Sequence, residues 1–186
     1  GIFVLKDKQV VKKITKDDNL SGNVIFKILN LRDDELWICT GTGLSIYKND
    51  QIFSFSSVSG LGYDSVFQVI LDYTQKIWFT TNQGIFNLKL SEIDEVMAGT
   101  KNYVNPKFFT RQDGIDSGGV TSTSLSMKDN LGRIWFTLID GFTIFDPVRN
   151  ESNNSAPKIT IQDVFLDSEK TTFKDNTVIL EPGVKR

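Results

Sequence analysis

"IWFTTNQGIFNL", residues 77–88, decides the fold. An apolar run carrying a Trp stops at the polar Thr81-Asn82-Gln83 and restarts at Gly84. The same event recurs at "LWICTGTGLSIY" (36–47) and "IWFTLIDGFTIF" (134–145). In all three a Gly follows the Trp by six residues: Trp37 and Gly43, Trp78 and Gly84, Trp135 and Gly141. An acidic turn precedes each Trp: "RDDE", "DYTQK" and "DNLGR". Further upstream, Leu20 and Leu61 each lie 17 residues before their Trp, and Ile115 lies 20 before Trp135.

The chain opens on the same pattern. "GIFVL" at 1–5 matches "GIFNL" at 84–88, so the glycines at 1, 43, 84 and 141 are spaced by 42, 41 and 57 residues. A period near 40 built from short strands indicates a repeated four-stranded blade. One unit shows β-rich stretches at about 24–30, 36–40, 44–48 and 51–55, and the next at about 66–71, 77–80 and 84–89. The repeated Gly supplies a positive φ at a tight hairpin where a Cβ would clash. The long interval carries an insertion, "LSEIDEVMAG", which predicts a short helix outside the ring, with Ser91 as N-cap, Asp94 completing a capping box and Gly99 as the stop. "PKFFTRQDGI" then resumes the blade's fourth strand.

This reading divides the chain into repeats at about 1–16, 17–56, 57–111 and 112–147, then a polar linker at 148–157. The segment 158–186 alternates in β fashion without the Trp-Gly pattern and reads as the opening strands of a different all-β domain. The expected fold class is therefore all-β: a partial β-propeller of about three four-stranded antiparallel blades plus half a blade, followed by the first strands of a β-domain.

Composition narrows the function. The 186 residues carry 21 basic and 23 acidic side chains, mixed along the chain, and no basic stripe for nucleic acid. There is no histidine, so Ser-His-Asp and Cys-His catalysis and histidine metal sites are excluded from this chain. Cys39 stands alone, which rules out an internal disulfide and a cysteine-based metal site. No run of 18 apolar residues appears. We expect no catalytic residue, metal or cofactor here.

The pattern Asp-x-x-x-x-[Leu/Ile]-Trp-[Ile/Phe]-x-Thr-x-x-Gly-[Leu/Ile/Phe] resembles the two-component regulator propeller repeat. "DNLGRIWFTLIDGFTIFDP" resembles the last blade of such a propeller, and "APKITIQDVFLDSEKTTFKDNTVILEPGVKR" resembles the start of the three-tyrosine immunoglobulin-like domain that follows it. Gly41 and Leu138 vary the residue after Thr, and Asp140 replaces a small or polar residue before Gly. The resemblance implies a piece of the periplasmic or extracytoplasmic sensor of a bacterial membrane receptor, whose output module would be a kinase, a cyclase or a DNA-binding domain. Its partners would be a small-molecule ligand such as an oligosaccharide and the rest of the same receptor. An isolated piece would expose open blade faces and self-associate.

Two other classes compete: a fragment of a propeller lyase or hydrolase, and a protein-interaction propeller. The absence of histidine argues against the first. The tryptophans sit at one repeat position and read as blade packing residues rather than sugar platforms. Asp33, Asp34, Glu35, Asp72 and Asp129 lack the ligand alternation of a calcium loop and read as solvated turns. The functional expectation falls on the inter-blade loops 17–23, 59–65 and 113–119, which vary most among the repeats. Within them Asn23, Tyr63, Asp64, Asp116 and Ser117 are the candidate ligand contacts.

Overall fold

A computed structural model describes residues 1–148, except 111, 112, 114 and 116–118, together with 164–166 and 169–171. It divides into two compact units, Gly1–Asn150 and Glu151–Arg186.

The first unit is a series of antiparallel sheets in chain order. β1 (Ile2–Lys6) and β2 (Gln9–Ile14) form a hairpin. β3 (Ile25–Arg32), β4 (Glu35–Thr40), β5 (Gly43–Lys48) and β6 (Gln51–Phe55) form a four-stranded meander. β7 (Gln68–Leu71), β8 (Lys76–Thr81), β9 (Gly84–Lys89) and β10 (Lys107–Phe109) form a second, with helix α1 (Leu90–Met97) between its last two strands. β11 (Met127–Lys128), β12 (Ile134–Leu138) and β13 (Gly141–Phe145) form a three-stranded third sheet. In the second unit, β14 (Val164–Leu166) pairs with β15 (Glu169–Thr171). The fold is all-β with four-stranded antiparallel blades, the class read from the repeat. The expected linker beyond Val148, and "NTVILEPG", lie outside the described residues.

Alternation along each strand gives a blade two apolar faces, and each interface between neighbouring blades is one core. Trp37, Cys39, Leu44 and Ile46 of the first blade pack against Val69, Ile77, Phe79, Phe86 and Leu88 of the second. The opposite face of the second blade, with Trp78 and Ile85, packs against Ile134, Phe136 and Leu138 of the third. Ile38, one residue after Trp37 and so on the other face, meets Ile14 and Leu20. Burying a Trp removes roughly 200 Å² from water, an upper estimate of about 5 kcal/mol at each interface.

The hairpins explain the glycines. Thr40 Oγ1 donates to Gly43 O (3.1 Å) and accepts from Thr42 N (3.2 Å). Thr81 repeats this with Gly84 O (2.9 Å) and Gln83 N (3.1 Å). Gly43 and Gly84 have φ of +141° and +139°, and a Cβ on Gly43 would lie 2.0 Å from Phe55 O on the neighbouring strand. Gly141 departs from the expectation: it is not in the left-handed region and a Cβ there meets nothing within 4 Å. Two differences account for this. Leu138 occupies the position of Thr40 and Thr81 rather than the one after it, so the hydroxyl that closes the turn is missing. In addition, no fourth strand pairs with β13 among the described residues.

The helix differs from the expectation as well. It starts at Leu90, with Lys89 at the N-cap and no side-chain cap, so Ser91 is inside it. Leu90 N donates instead to Gln75 O (2.9 Å), which frees the first turn from needing a hydroxyl and places Leu90 in the core. Gly99 ends the helix in the left-handed region (φ +73°), its N–H bonded to Val96 O (3.0 Å). Nor is α1 a mere outer decoration. Ile93 is fully buried in the core between the first two blades, and Asp94 accepts from Arg32 of β3 at 2.8 Å.

Candidate functional site

The loops that enter each blade are one turn written in three different ways. Thr15, Ser56 and Thr110 each stand three residues before Asp18, Ser59 and Asp113, whose side chains accept from the backbone N–H of the first residue at 2.9, 2.7 and 2.9 Å. Five residues after each opening residue, Leu20, Leu61 and Ile115 donate their N–H back to its carbonyl, at 3.2, 3.0 and 3.2 Å, and bury their side chains. The loops therefore vary in sequence while each keeps the same two hydrogen bonds to its opening residue. What differs in sequence is the stretch that follows, toward Asn23, Asp64 and residues 116–119.

Asn23 is exposed, and its Oδ1 accepts from Lys16 N (3.1 Å). It lines a cavity of about 160 Å³ with Lys16, Gly22, Val24, Gly41 and Thr42. Ser65 Oγ donates to Gly41 O (3.2 Å), so the loop carrying Asp64 reaches the same hairpin. Asp64 is exposed. Asn23 and Asp64 thus both adjoin the 40–43 hairpin, where hydroxyls of Ser21, Thr40, Ser45 and Ser54 are linked at 2.9 to 3.1 Å. Tyr63 does not join them. It is half-buried, with its ring packed against Phe108 (4.9 Å) and Phe86 (6.0 Å) at the edge of the core. Asp116 and Ser117 lie outside the described residues.

Three of the acidic turn residues, Glu35, Asp72 and Asp129, are not the solvated side chains the sequence implies. Asp72 is 2% exposed: Oδ1 accepts from Thr74 N (2.7 Å), Thr74 Oγ1 (2.8 Å) and Lys76 N (3.0 Å), and Oδ2 from Trp78 Nε1 (2.7 Å). Asp129 repeats the arrangement with Leu131 N (3.0 Å), Arg133 N (2.9 Å), Arg133 Nε (2.8 Å) and Trp135 Nε1 (2.9 Å). The Trp135 indole, outweighing partial burial and aided by Arg133, pulls the Asp129 carboxyl down to about 2.

The first blade has Leu31 at that position and solves the problem differently. Glu35 shares the Trp37 face of β4, accepts from its Nε1 (3.1 Å), and is ringed by Arg32 (2.8 and 2.9 Å) and Lys48 (2.9 Å). Burial pushes the Glu35 carboxyl up, but Lys48, Arg32 and Trp37 together hold it below the ordinary value. Asp33 and Asp34 are exposed, as expected. Each Trp therefore carries a carboxylate on its indole N–H, a pairing that fixes the turn and satisfies a polar atom in the core.

Sequence reasoning missed Gln68. Its amide is 7% exposed and clamps the third blade's approach, donating to Ser126 O (2.7 Å) and accepting from Ser126 N (3.1 Å). A lone Gln in a strand carries no periodic signal, so only the pairing reveals it. Burial raises the Cys39 thiol to about 12, which leaves it unreactive at neutral pH. No helix among the described residues is long and apolar enough to cross a membrane.

No protein-family profile matches the sequence, and no curated protein is similar to it. Among solved structures, the chain is similar to the extracellular domain of BT3049 from B. thetaiotaomicron, described as a putative hybrid two-component system. The TM-score is 0.68 at 23% identity, over 95% of this chain and 23% of the other. At that identity the likeness is one of fold, and this chain spans about a quarter of its neighbour's length.

Proposed function

We propose that this chain is a non-catalytic sensory segment, binding a ligand and relaying its presence, within the extracytoplasmic part of a bacterial two-component-type receptor. The observation that carries the reading is the likeness of fold, over 95% of the chain, to an extracellular domain of such a system. The Trp-Gly repeat, which resembles two-component regulator propellers, supports it independently. On this reading residues 1–147 are propeller blades, 148–157 the coupling linker and 158–186 the start of a three-tyrosine-like domain. The ligand is a small molecule such as an oligosaccharide, met by the loops around the 40–43 hairpin. Asn23 and Asp64 are its contacts on the described part, joined by Asp116 and Ser117 from the third loop. Tyr63 acts by supporting the loop from beneath.

The test is the parent reading frame and its response. Further Trp-Gly repeats, a membrane helix and an output module are expected around this segment. In that receptor, Asn23→Ala and Asp64→Ala should weaken the response to the inducing solute with surface abundance unchanged. A frame with no membrane helix or output module, or variants that respond as the parent does, would overturn the reading.

A further inference from the structure

The second blade carries a cluster of positive charge that none of the loops accounts for. The register of β8, β9 and β10 sets Lys76 opposite Lys89 and Asn87 opposite Lys107. Directly opposed residues of an antiparallel pair share a face, and side chains two apart on one strand do too. Lys76, Lys89, Lys107 and Asn87 therefore lie together on the face that carries Trp78, at the end of the blade away from the Thr81 hairpin. Like charges placed opposite one another destabilise a strand pair. Among the described residues, none of the three lysines has a carboxylate partner.

These side chains line a cavity of about 190 Å³, with Leu88, Glu92 and Asn105 completing it. Space of that size exceeds several water molecules at about 30 Å³ each. Asn87 is 5% exposed, lines the cavity, and its side-chain amide has no hydrogen-bond partner among the described residues. The amide opens onto the cavity, where whatever enters can accept its hydrogen bond. The only carboxylate in the lining, Glu92, already accepts from Lys101 Nζ (3.1 Å) and Asn105 N (2.9 Å). Its ion-pair partner is Lys101, and it forms no ion pair with Lys76, Lys89 or Lys107, although Lys107 Nζ lies 5.1 Å from the centre of the Phe109 ring.

We propose that this cavity is an anion site, taking one small oxyanion or carboxylate group, with Lys76, Lys89 and Lys107 supplying charge and the Asn87 amide donating a hydrogen bond. The site lies on a blade face, away from the candidate loop contacts, and stands whether or not the sensory reading holds. An anion seated there turns a repelling lysine pair into a bridged one and accepts from the amide in the same step.

Amine reactivity tests the site in any assembly state of the chain. The chain is acetylated with an amine-reactive ester at fixed ionic strength, with chloride replaced stepwise by sulfate, phosphate or acetate, and each lysine is followed by mass spectrometry. A bound anion holds the ammonium form, so Lys76, Lys89 and Lys107 should slow at least threefold and saturably, while the exposed Lys8 and Lys13 stay unchanged. Slowing by sulfate and phosphate alone assigns a mineral oxyanion, and slowing by acetate alone assigns a carboxylate-bearing solute. Lys89→Gln should remove most of the protection of Lys76 and Lys107. Lys107→Gln, on a separate strand, should do the same for the other two. Uniform slowing of all lysines, no slowing with any anion, or full protection surviving in both variants would overturn the proposal.

Discussion

Replacing Asp72 with Ala is the sharpest test of the carboxylate that caps each Trp. The side chain accepts four hydrogen bonds, three from the turn at Thr74 and Lys76 and one from Trp78 Nε1 at 2.7 Å. The turn donors lie near the surface and can bond water once the carboxylate is gone. The indole N–H cannot, because Trp78 is 1% exposed. An orphaned buried donor costs about 1–3 kcal/mol, and loss of the fixed turn adds about 1, so Asp72→Ala should destabilise by about 3 kcal/mol. Asp72→Asn should cost nearly as much, since an amide oxygen can serve the turn or the indole but not both. Trp78→Phe removes the donor, and in that background the Asp72→Ala penalty should shrink by at least about 1 kcal/mol. Urea unfolding followed by far-ultraviolet circular dichroism reads each value, with Asp64→Ala as the exposed reference, expected within about 0.5 kcal/mol of the parent. A penalty for Asp72→Ala no larger than that of Asp64→Ala, or one undiminished in the Trp78→Phe background, would refute the reasoning.

Three further outcomes follow from the same structure. Gly43→Ala forces a Cβ to 2.0 Å from Phe55 O at a φ of +141° and should cost at least about 2 kcal/mol, whereas Gly141→Ala meets nothing within 4 Å and should fall within about 0.5 kcal/mol of the parent by the same unfolding assay. Asp129 titrates at about 2 in the folded chain, below its unfolded value, so its contribution to stability is complete above the unfolded value and fades as pH falls toward 2. The stability gap between the parent and Asp129→Asn should accordingly be constant from pH 7 to about 5 and close between about pH 4 and 2. Phe3, Leu5, Val10 and Val11 at one end of the blade series and Phe142 at the other are each more than half exposed, so the isolated chain should self-associate; light scattering that shows only a monomer would contradict this.

Strand positions in the first two blades were readable because β-branched and aromatic runs between turn residues have few alternatives. β5, for example, begins at the Gly that the repeat marks, and β6 coincides with the expected 51–55. Legibility fails where one physical task has several chemical solutions. Aligned on its Trp, the first blade has Leu31 where the others have Asp72 and Asp129, and nothing in the spacing says that Glu35 takes over from the opposite end of the turn. The three entry turns look unlike because Asp18, Ser59 and Asp113 can each accept the same backbone N–H. Ser91 is a plausible cap locally, yet the carbonyl of Gln75, remote from the helix in the chain, satisfies the amide first. Of the candidate contacts, Asn23 and Asp64 were legible as exposed polar loop residues. Tyr63 was not, because an aromatic after two glycines reads alike whether it faces water or Phe108.

The Trp also gives the blade series a direction. Trp37 faces the second blade and Trp78 the third, while the residue after each Trp, Ile38 or Phe79, faces the blade before. A blade is thus completed by the one that follows it: Trp37 and Trp78 are almost wholly buried, but Trp135, whose forward face meets chiefly Phe142 at 5.5 Å, is only half-buried. The capping carboxylates follow the same gradient, from the enclosed Asp72 to the more open Asp129. Since the indole N–H and its carboxylate are bonded in every blade, whatever packs onto the forward face also tightens the turn at that blade's edge. Local stability should therefore rise from the third blade back toward the second, with Trp135 and its turn the first element to loosen.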